Sequence, residues 1–175
     1  MKKKGLIQVY TGDGKGKTTA AIGQSIRALG HGKKVCIIQL FKPSHFYGEQ
    51  KVLKRLKNLD FFSYSDRHPS MYKNVKIMHV KQECVKALNH VKKIFSGNKY
   101  DILVLDEFNI AIRDGYIDFN ALIGLLKKKP LKLEVIITGR EAPQELIDFA
   151  GLVTSMEKIK HPFDGKIVSR ESIDY

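Results

Sequence analysis

The sequence predicts an α/β protein with a mostly parallel sheet and helices on both faces of that sheet. Short apolar segments of strand length alternate along the chain with segments whose apolar residues have helical spacing. Several of the short segments are almost continuously apolar, which is typical of strands covered on both faces. The 175 residues, of which 43% are apolar and 28% charged, fit a single domain, which we place at residues 1–175.

The elements of the first half follow one another without a linker. Residues 6–10 form the first predicted strand, and a glycine-rich loop leads from it into a predicted helix at residues 18–29, which stops at Gly30. A strand at residues 35–41, a basic helix at 49–57 and a strand at 59–62 are predicted next. Residues 63–74 mix Ser, Asp, His, Pro and Tyr without a period, so we interpret them as a loop with a functional role.

The second half continues the alternation. Apolar residues at helical spacing predict a helix from Val80 to Phe95, and a buried strand at residues 102–105 ends in Asp106 and Glu107. A helix at 119–126, a strand at 135–137, a helix at 143–150 and a last strand at 152–154 complete the prediction. Strands that alternate with helices in this way pair in parallel.

Net charge and cysteine content give some information about the ligands and the cellular compartment of this protein, but they do not select one function. The net charge of +13 suits either a nucleic-acid binder or a protein with polyanionic ligands, and the lysine runs are short and scattered. Cys36 and Cys84 are too few for a disulfide framework and indicate a reducing compartment. We find neither a signal-peptide pattern nor a run of about 20 apolar residues, so we expect a cytoplasmic protein without a membrane partner.

The loop after the first predicted strand has the composition of a phosphate-binding loop. It reads Thr11-Gly12-Asp13-Gly14-Lys15-Gly16-Lys17-Thr18, with Thr11 at the first glycine position of the pattern G-x-x-x-x-G-K-[ST]. The glycines let the backbone amides converge, and the following helix directs the positive end of its dipole at the loop. Lys17 supplies a charge to phosphates and the Thr18 hydroxyl is placed to bind Mg²⁺. The sequence therefore predicts a P-loop that holds the triphosphate of ATP.

A second feature supports a metal at this loop. The apolar run Ile102-Leu103-Val104-Leu105 ends in Asp106 and Glu107, and carboxylates at such a strand end hold the metal or its waters in P-loop proteins. We predict Thr18, Asp106 and Glu107 as the metal-binding residues. Which of the two carboxylates touches the ion directly is left open.

Residues outside the loop resemble one particular family, the ATP:corrinoid adenosyltransferases of the CobA/BtuR type. The resemblance runs from about Leu6 to Tyr175. It rests on residues 11–23, Arg27-Ala28-Leu29-Gly30-His31-Gly32, Leu105-Asp106-Glu107-Phe108-Asn109-Ile110-Ala111, Ile137-Thr138-Gly139-Arg140 and Ile159-Lys160-His161-Pro162-Phe163-Asp164.

This resemblance implies a P-loop NTPase-like, RecA-like fold and a specific reaction. The 5′-deoxyadenosyl group of ATP passes to the cobalt(I) of a reduced corrinoid, and triphosphate leaves in one piece. Cobalt(I) is itself the nucleophile, so the protein positions C5′ and stabilises the leaving group. The resemblance assigns catalysis to Lys17, Thr18, Glu107 and Arg140, and cofactor binding to Gly12, Asp13, Gly14, Lys15, Gly16, Lys17, Thr18, Thr19 and Arg27. To the cofactor-binding residues we add Phe62, Tyr64 and Tyr72 as candidates of this sequence itself.

The sequence departs from the family where the corrinoid should sit. Lys42-Pro43 replaces the usual Lys-Gly pair, and the chain has no Trp for the aromatic stretch after the third strand. Phe62, Tyr64 and Tyr72 are the aromatic candidates to pack under the metal, and His68 is a candidate to coordinate cobalt instead. We expect residues 63–72 to be mobile without ligand and to order over the corrinoid.

Two other functions stay open from the residues alone. The first is an ATP-binding switch protein that has lost the corrinoid pocket, and the second is a nucleic-acid-linked ATPase, which only the net charge supports. As partners we expect ATP with Mg²⁺, a corrinoid co-substrate, a flavoprotein reductant and a second copy of the chain in a homodimer.

Overall fold

The computed structural model describes residues 4–44, 46–70, 72–165 and 167–175. Met71, which belongs to the predicted loop at residues 63–74, lies outside the described residues. The domain prediction of residues 1–175 likewise includes positions beyond them.

Six parallel strands form one sheet in the order β3-β2-β4-β5-β1-β6. Central strands β2 and β4 are buried along their whole length, whereas β6 forms an edge and is exposed. The strands are β1 Ile7–Thr11, β2 Val35–Leu40, β3 Leu59–Tyr64, β4 Ile102–Asp106, β5 Glu134–Thr138 and β6 Leu152–Ser155. The predicted α/β class with a parallel sheet is confirmed.

Six α-helices and one short 3₁₀ helix connect the strands in the described parts of the chain. Their bounds are α1 Lys17–Gly30, α2 Gly48–Leu53, α3 Ile77–Gly97, α4 Phe108–Arg113, α5 Phe119–Leu126 and α6 Gln144–Phe149, with the 3₁₀ helix at Pro162–Gly165. No helix among these described residues is long and apolar enough to cross a membrane.

Helices cover both faces of the sheet and create two apolar layers. On one face, Ala21 and Ala28 of α1 and Leu53 of α2 pack with Val35 and Ile37 of β2. On the other, α3, α4, α5 and α6 pack against the alternate residues of the same strand, Cys36, Ile38 and Leu40. This alternation explains why β2 is continuously apolar in the sequence, because each face of the strand meets a helical layer.

Two local predictions needed correction, and one helix was missed. Strand β3 runs to Tyr64, two residues past the predicted end at Phe62, because Ser63 and Tyr64 pair with Gln39 and Leu40 of β2. The basic helix ends at Leu53 rather than at Lys57. Helix α4 was not predicted, since its six residues are too few to show a period and directly follow a strand.

The sheet order brings the two predicted phosphate and metal segments together. Parallel strands place their carboxyl ends at one edge of the sheet, and both β1 and β4 neighbour β5. The loop after β1 and the carboxylates at the end of β4 therefore face each other across the end of β5. A ligand site at this edge is the expected place for a parallel α/β sheet.

Candidate functional site

The glycine-rich loop is held against the segment that follows β6. The Gly14 amide donates a hydrogen bond to the carbonyl of Met156 (2.7 Å), and the Met156 amide donates to Thr11 (2.9 Å). A Cβ atom on Gly12 would lie 2.4 Å from the Met156 carbonyl oxygen, and one on Gly14 would lie 2.6 Å from that of Glu157. Gly12 also has a positive φ of 89°. Only glycine fits at these two positions, because backbone lies where a side chain would begin.

Lys17 places its charge inside the loop. Its Nζ donates to the carbonyl oxygens of Gly12 (2.6 Å) and Gly14 (2.7 Å), and the residue is 8% exposed. Burial lowers the pKa of Lys17, and the nearby Glu107 carboxylate opposes that effect. Lys17 is thus a buried donor surrounded by polar backbone, as the predicted role at a phosphate requires.

Asp106 is a buried carboxylate with four hydrogen bonds. Its Oδ1 accepts from the hydroxyls of Thr18 (2.9 Å) and Thr138 (2.7 Å), and its Oδ2 accepts from Gln39 (2.9 Å) and Lys42 (3.0 Å). Burial alone would raise the pKa of Asp106, but the Lys42 ammonium and these donors hold it below its usual range. Asp106 is therefore ionised and fixed in orientation.

Glu107 has a different environment from its neighbour. Its backbone adopts a left-handed conformation (φ 64°) between β4 and α4, and its amide donates to the Thr138 hydroxyl (3.0 Å). Burial and the adjacent Asp106 charge raise the pKa of the Glu107 carboxyl. Among the described residues, no hydrogen bond or ion pair engages this carboxylate, so it is available to a ligand.

Lys42 was noted only as the residue before the departing Pro43 and was given no role, yet it lies at the centre of this site. Its Nζ donates to Thr18 Oγ1 (2.9 Å) as well as to Asp106 Oδ2, and it lies 5.3 Å from the ring centroid of Tyr47. Burial would lower the pKa of Lys42, but Asp106 and Glu107 raise it above its usual value. The residue carries a full positive charge against the predicted metal ligands.

The site residues fit Mg²⁺. The Thr18 hydroxyl donates its hydrogen to Asp106, so its lone pairs face the cationic position now taken by Lys42. Hydroxyl, carboxylate and phosphate oxygens are the ligands that Mg²⁺ prefers. In the described parts of the chain, no three His, Cys, Asp or Glu side chains cluster as a metal site. Thr18 and the two carboxylates would supply some of the ligands of a bound ion, and phosphate oxygens and water would supply the others.

Lys15 is engaged by the carboxyl-terminal segment. Its Nζ contacts the Asp174 carboxylate and donates to the carbonyl of Ile173 (2.8 Å). The ring of Tyr175 stacks on Phe46, with centroids 4.7 Å apart. The end of the chain therefore lies over the phosphate loop, at the predicted nucleotide site.

The other predicted phosphate residues lie at different distances from this centre. Asp13 belongs to the loop and Arg140 follows β5; both are exposed, and the charges of both affect the pKa of Lys17, so Arg140 lies near the loop. Thr19 is exposed in the first turn of α1. Arg27 lies in the last turn of α1, ten residues beyond Lys17 and hence about 15 Å along the helix. The structure does not bring Arg27 to the loop.

The aromatic candidates for the corrinoid do not form one cluster. Phe62 and Tyr64 belong to β3 and contact His90 of α3: the Phe62 and His90 ring centroids are 4.3 Å apart, and Tyr64 Oη lies 3.0 Å from His90 Nδ1. Tyr72 instead packs under the guanidinium of Arg67, at 5.2 Å.

His68 is an anchor of the loop rather than a free ligand. Its Nε2 lies 2.7 Å from Asp114 Oδ2 and its Nδ1 lies 2.6 Å from Ser70 Oγ. The ring is buried and contacts Phe41 edge to face, with centroids 4.9 Å apart. Because both ring nitrogens are engaged, the arrangement does not favour the expected alternative in which His68 binds cobalt.

Several residues of the site were missed in the sequence. Gln39, Gln50 and Thr138 are buried polar residues that support Asp106 directly or, for Gln50, through its 2.7 Å hydrogen bond to Gln39. The available signal was a polar residue within an apolar strand, as Gln39 is in Val35–Leu40. A buried polar group needs a partner, so such a residue points toward a polar centre.

Known proteins resemble this chain over nearly its whole length. Residues 3–175 match the family described as ATP:corrinoid adenosyltransferase BtuR/CobO/CobP. The chain is 31% identical to the corrinoid adenosyltransferase of Escherichia coli K12, over 99% of this chain and 87% of the relative. It is 33% identical to the corrinoid adenosyltransferase of a Sinorhizobium species, over 99% and 81%. Identity to the corrinoid adenosyltransferase CobA of Salmonella typhimurium is 32%, over 99% and 87%.

Proposed function

The chain belongs to the ATP:corrinoid adenosyltransferase family, and from this premise we propose how its residues carry out the reaction. As a member, it is a transferase that moves the adenosyl group of ATP to a reduced corrinoid. The family relationship does not favour the two alternatives, an ATP-binding switch or a nucleic-acid-linked ATPase.

The proposed site rests on one observation: the Thr18 hydroxyl of the loop donates a hydrogen bond to Asp106 at the end of β4. It joins a phosphate loop to a buried, ionised carboxylate, as a magnesium triphosphate site requires. We assign the triphosphate to Gly12, Asp13, Gly14, Lys15, Gly16, Lys17, Thr18 and Thr19. We assign Mg²⁺ to Thr18, Asp106 and Glu107; when bound, the ion would supply positive charge to the phosphate oxygens.

The chemical step needs positioning and charge stabilisation. The cobalt–carbon bond forms as the bond between C5′ and the triphosphate oxygen breaks, and the electron pair of that bond leaves with triphosphate. The Lys17 ammonium lies inside the loop, where it would stabilise the negative charge that develops on the leaving triphosphate oxygen. Lys15 and Arg140 are exposed and would stabilise the same charge from the solvent side of the loop. Catalytic roles therefore go to Lys17, Thr18, Glu107 and Arg140.

On the acceptor side, we propose that Phe62, Tyr64 and Tyr72 contact the corrinoid. Tyr64 ends β3 at the same edge of the sheet as the phosphate loop, and Tyr72 follows in the next loop. Arg27 remains a candidate for a contact with a side chain of the corrinoid. We further propose a homodimer, a flavoprotein reductant and a cytoplasmic location, for which the resemblance to the family is the support.

The decisive experiment is an anaerobic incubation of the protein with ATP, Mg²⁺ and chemically reduced cobalamin. The corrinoid spectrum should change to that of the adenosylated product, and inorganic triphosphate should appear in equal amount. Orthophosphate or ADP as the main product, with an unchanged corrinoid spectrum, would rule the proposal out. Exposed Lys51 on α2 offers a control, since Lys51→Ala should behave as the wild type.

A further inference from the structure

We propose that Lys42 is an internal counter-ion that holds the magnesium position and must withdraw before Mg²⁺ and ATP occupy it. The inference deepens the proposed function and rests on the assignment of Thr18 and Asp106 to the metal. It makes Lys42 a residue that couples metal binding to nucleotide binding.

The contacts of Lys42 are those expected of a bound cation. The ammonium lies 2.9 Å from Thr18 Oγ1 and 3.0 Å from Asp106 Oδ2, with its side chain 13% exposed. The Thr18 hydroxyl hydrogen is directed at Asp106 Oδ1, so the lone pairs of Thr18 are directed at Lys42. The same two oxygen atoms that would bind the metal are therefore hydrogen-bonded to the ammonium.

Lys42 and Mg²⁺ cannot use these oxygens together. Mg²⁺ binds oxygen at about 2.0–2.1 Å, so an ion on Thr18 would lie within a few ångströms of the ammonium. Cations that close in a buried site repel strongly, because little water screens them. Binding of Mg²⁺ alone must therefore displace a well-paired ammonium, which is unfavourable.

Nucleotide binding changes this balance. The triphosphate brings several negative charges to the loop, which offer the displaced ammonium a new partner while Mg²⁺ takes over Asp106. Lys42 has neighbours at the mouth of the site, with Tyr47 5.3 Å away and the Glu49 charge close enough to raise its pKa. The metal and the nucleotide should consequently bind together, and the metal should bind poorly by itself.

The test uses Mn²⁺ as the probe, measured by electron paramagnetic resonance on the full-length protein without nucleotide. Wild-type protein should bind Mn²⁺ weakly, and Lys42→Met should bind it at least about tenfold more tightly, because the competing charge is gone. Lys54→Met is the matched control, since in the described parts of the chain the Lys54 ammonium contacts the Ser44 hydroxyl and the Phe61 ring and not the proposed metal residues. Its Mn²⁺ affinity should equal that of the wild type.

Equal Mn²⁺ affinity in Lys42→Met and the wild type would overturn the proposal. If Lys42→Met does not fold, Lys42→Gln removes the charge while keeping a donor and replaces it in the comparison. A measurement on the wild type alone also decides: Mn²⁺ that binds as tightly without ATP as with it contradicts the proposal. The metal assignment is tested separately, because Asp106→Asn should abolish the ATP-dependent protein-bound Mn²⁺ signal whatever Lys42 does.

Discussion

The Thr18 hydroxyl lies 2.9 Å from Asp106 Oδ1 and joins two segments that are 88 positions apart in the chain. Thr138 at the end of β5 completes the connection, since its hydroxyl donates to the same oxygen and accepts from the Glu107 amide. The carboxyl ends of β4 and β5 are therefore fastened to the first turn of α1. The proposed metal site is built on strands and a helix, which fixes its geometry.

Lys17→Ala should lower kcat/KM for adenosylation by at least about 100-fold, because it removes a preorganised charge at the leaving group. The loss of its two hydrogen bonds to Gly12 and Gly14 should cost about 1 kcal/mol of unfolding free energy each at most. Steady-state kinetics and thermal unfolding measure the two effects. Turnover and ATP affinity equal to those of the wild type would contradict the assigned site.

Gly14→Ala should prevent the loop from forming as observed, since the new Cβ would meet the Glu157 carbonyl oxygen at 2.6 Å. ATP binding, measured by calorimetry, should be lost or weakened by at least about tenfold. Gly124→Ala is the matched control: its Cβ meets nothing within 4 Å in α5, and it should stabilise the protein by about 1 kcal/mol. Wild-type ATP affinity in Gly14→Ala would show that the contact with residues 156–157 is dispensable.

Glu107→Gln should be less active but more stable than the wild type at neutral pH. Burial and Asp106 raise the pKa of Glu107 in the folded state, so the folded protein holds a proton that the unfolded chain releases. Stability from this group is fully present below the unfolded pKa and declines as pH rises toward the folded pKa. Thermal unfolding should therefore show a gain for Glu107→Gln at pH 7 that vanishes near pH 4.

Exposed Glu145 on α6 supplies the comparison for that measurement, and Glu145→Gln should show no such gain in stability at pH 7. A Glu107→Gln protein that is less stable than the wild type at pH 7 would mean that the ionised carboxylate is stabilised in the fold.

His68→Ala should destabilise the protein by about 2 kcal/mol, because it removes a buried ring that packs on Phe41 and breaks the contact with Asp114, which keeps its pair with Arg113. The cobalt(II) spectrum of bound corrinoid should show the same nitrogen hyperfine pattern in this variant as in the wild type, since both ring nitrogens are engaged by protein groups. His79→Ala, at an exposed position of α3, should affect neither property. Loss of a nitrogen splitting in His68→Ala alone would restore His68 as a cobalt ligand.

Asp174→Asn should raise ATP affinity by a factor of about two to five, because the nucleotide no longer competes with a partly exposed carboxylate for Lys15. The effect should diminish at high salt, which screens exposed pairs. Asp164→Asn breaks the exposed pair with Lys158 and is the matched control, expected to leave ATP affinity unchanged. Weaker ATP binding in Asp174→Asn would indicate that the tail helps to hold the nucleotide.

The sequence predicted the sheet and the phosphate loop because both have strong local signals. Continuous apolar runs identify the central strands. The glycines with Lys17 and Thr18 identify the loop without any knowledge of tertiary contacts. Asp106 was predictable from its place after an apolar strand. Family resemblance then supplied the reaction, which the loop alone could not.

The remaining features depend on contacts between distant residues. Nothing local indicates that Lys42 meets Thr18 and Asp106, or that His68 meets Asp114, 46 positions away. The distance of Arg27 from the loop, by contrast, was predictable from the helix expected at residues 18–29, in which Arg27 lies near the end. Helix α4 is too short for a period, and its left-handed start at Glu107 is a backbone feature that residue types seldom show.

The hydrogen bond from Gly14 to Met156 makes the shape of the phosphate loop depend on β6, a strand at the edge of the sheet. Strand β6 has four residues, all exposed, and pairs with β1 alone. Edge strands of this kind open more readily than central ones. Each opening of β6 would release residues 155–157, on which the phosphate loop packs. The time for which the loop can bind nucleotide would therefore depend on how often this edge strand opens.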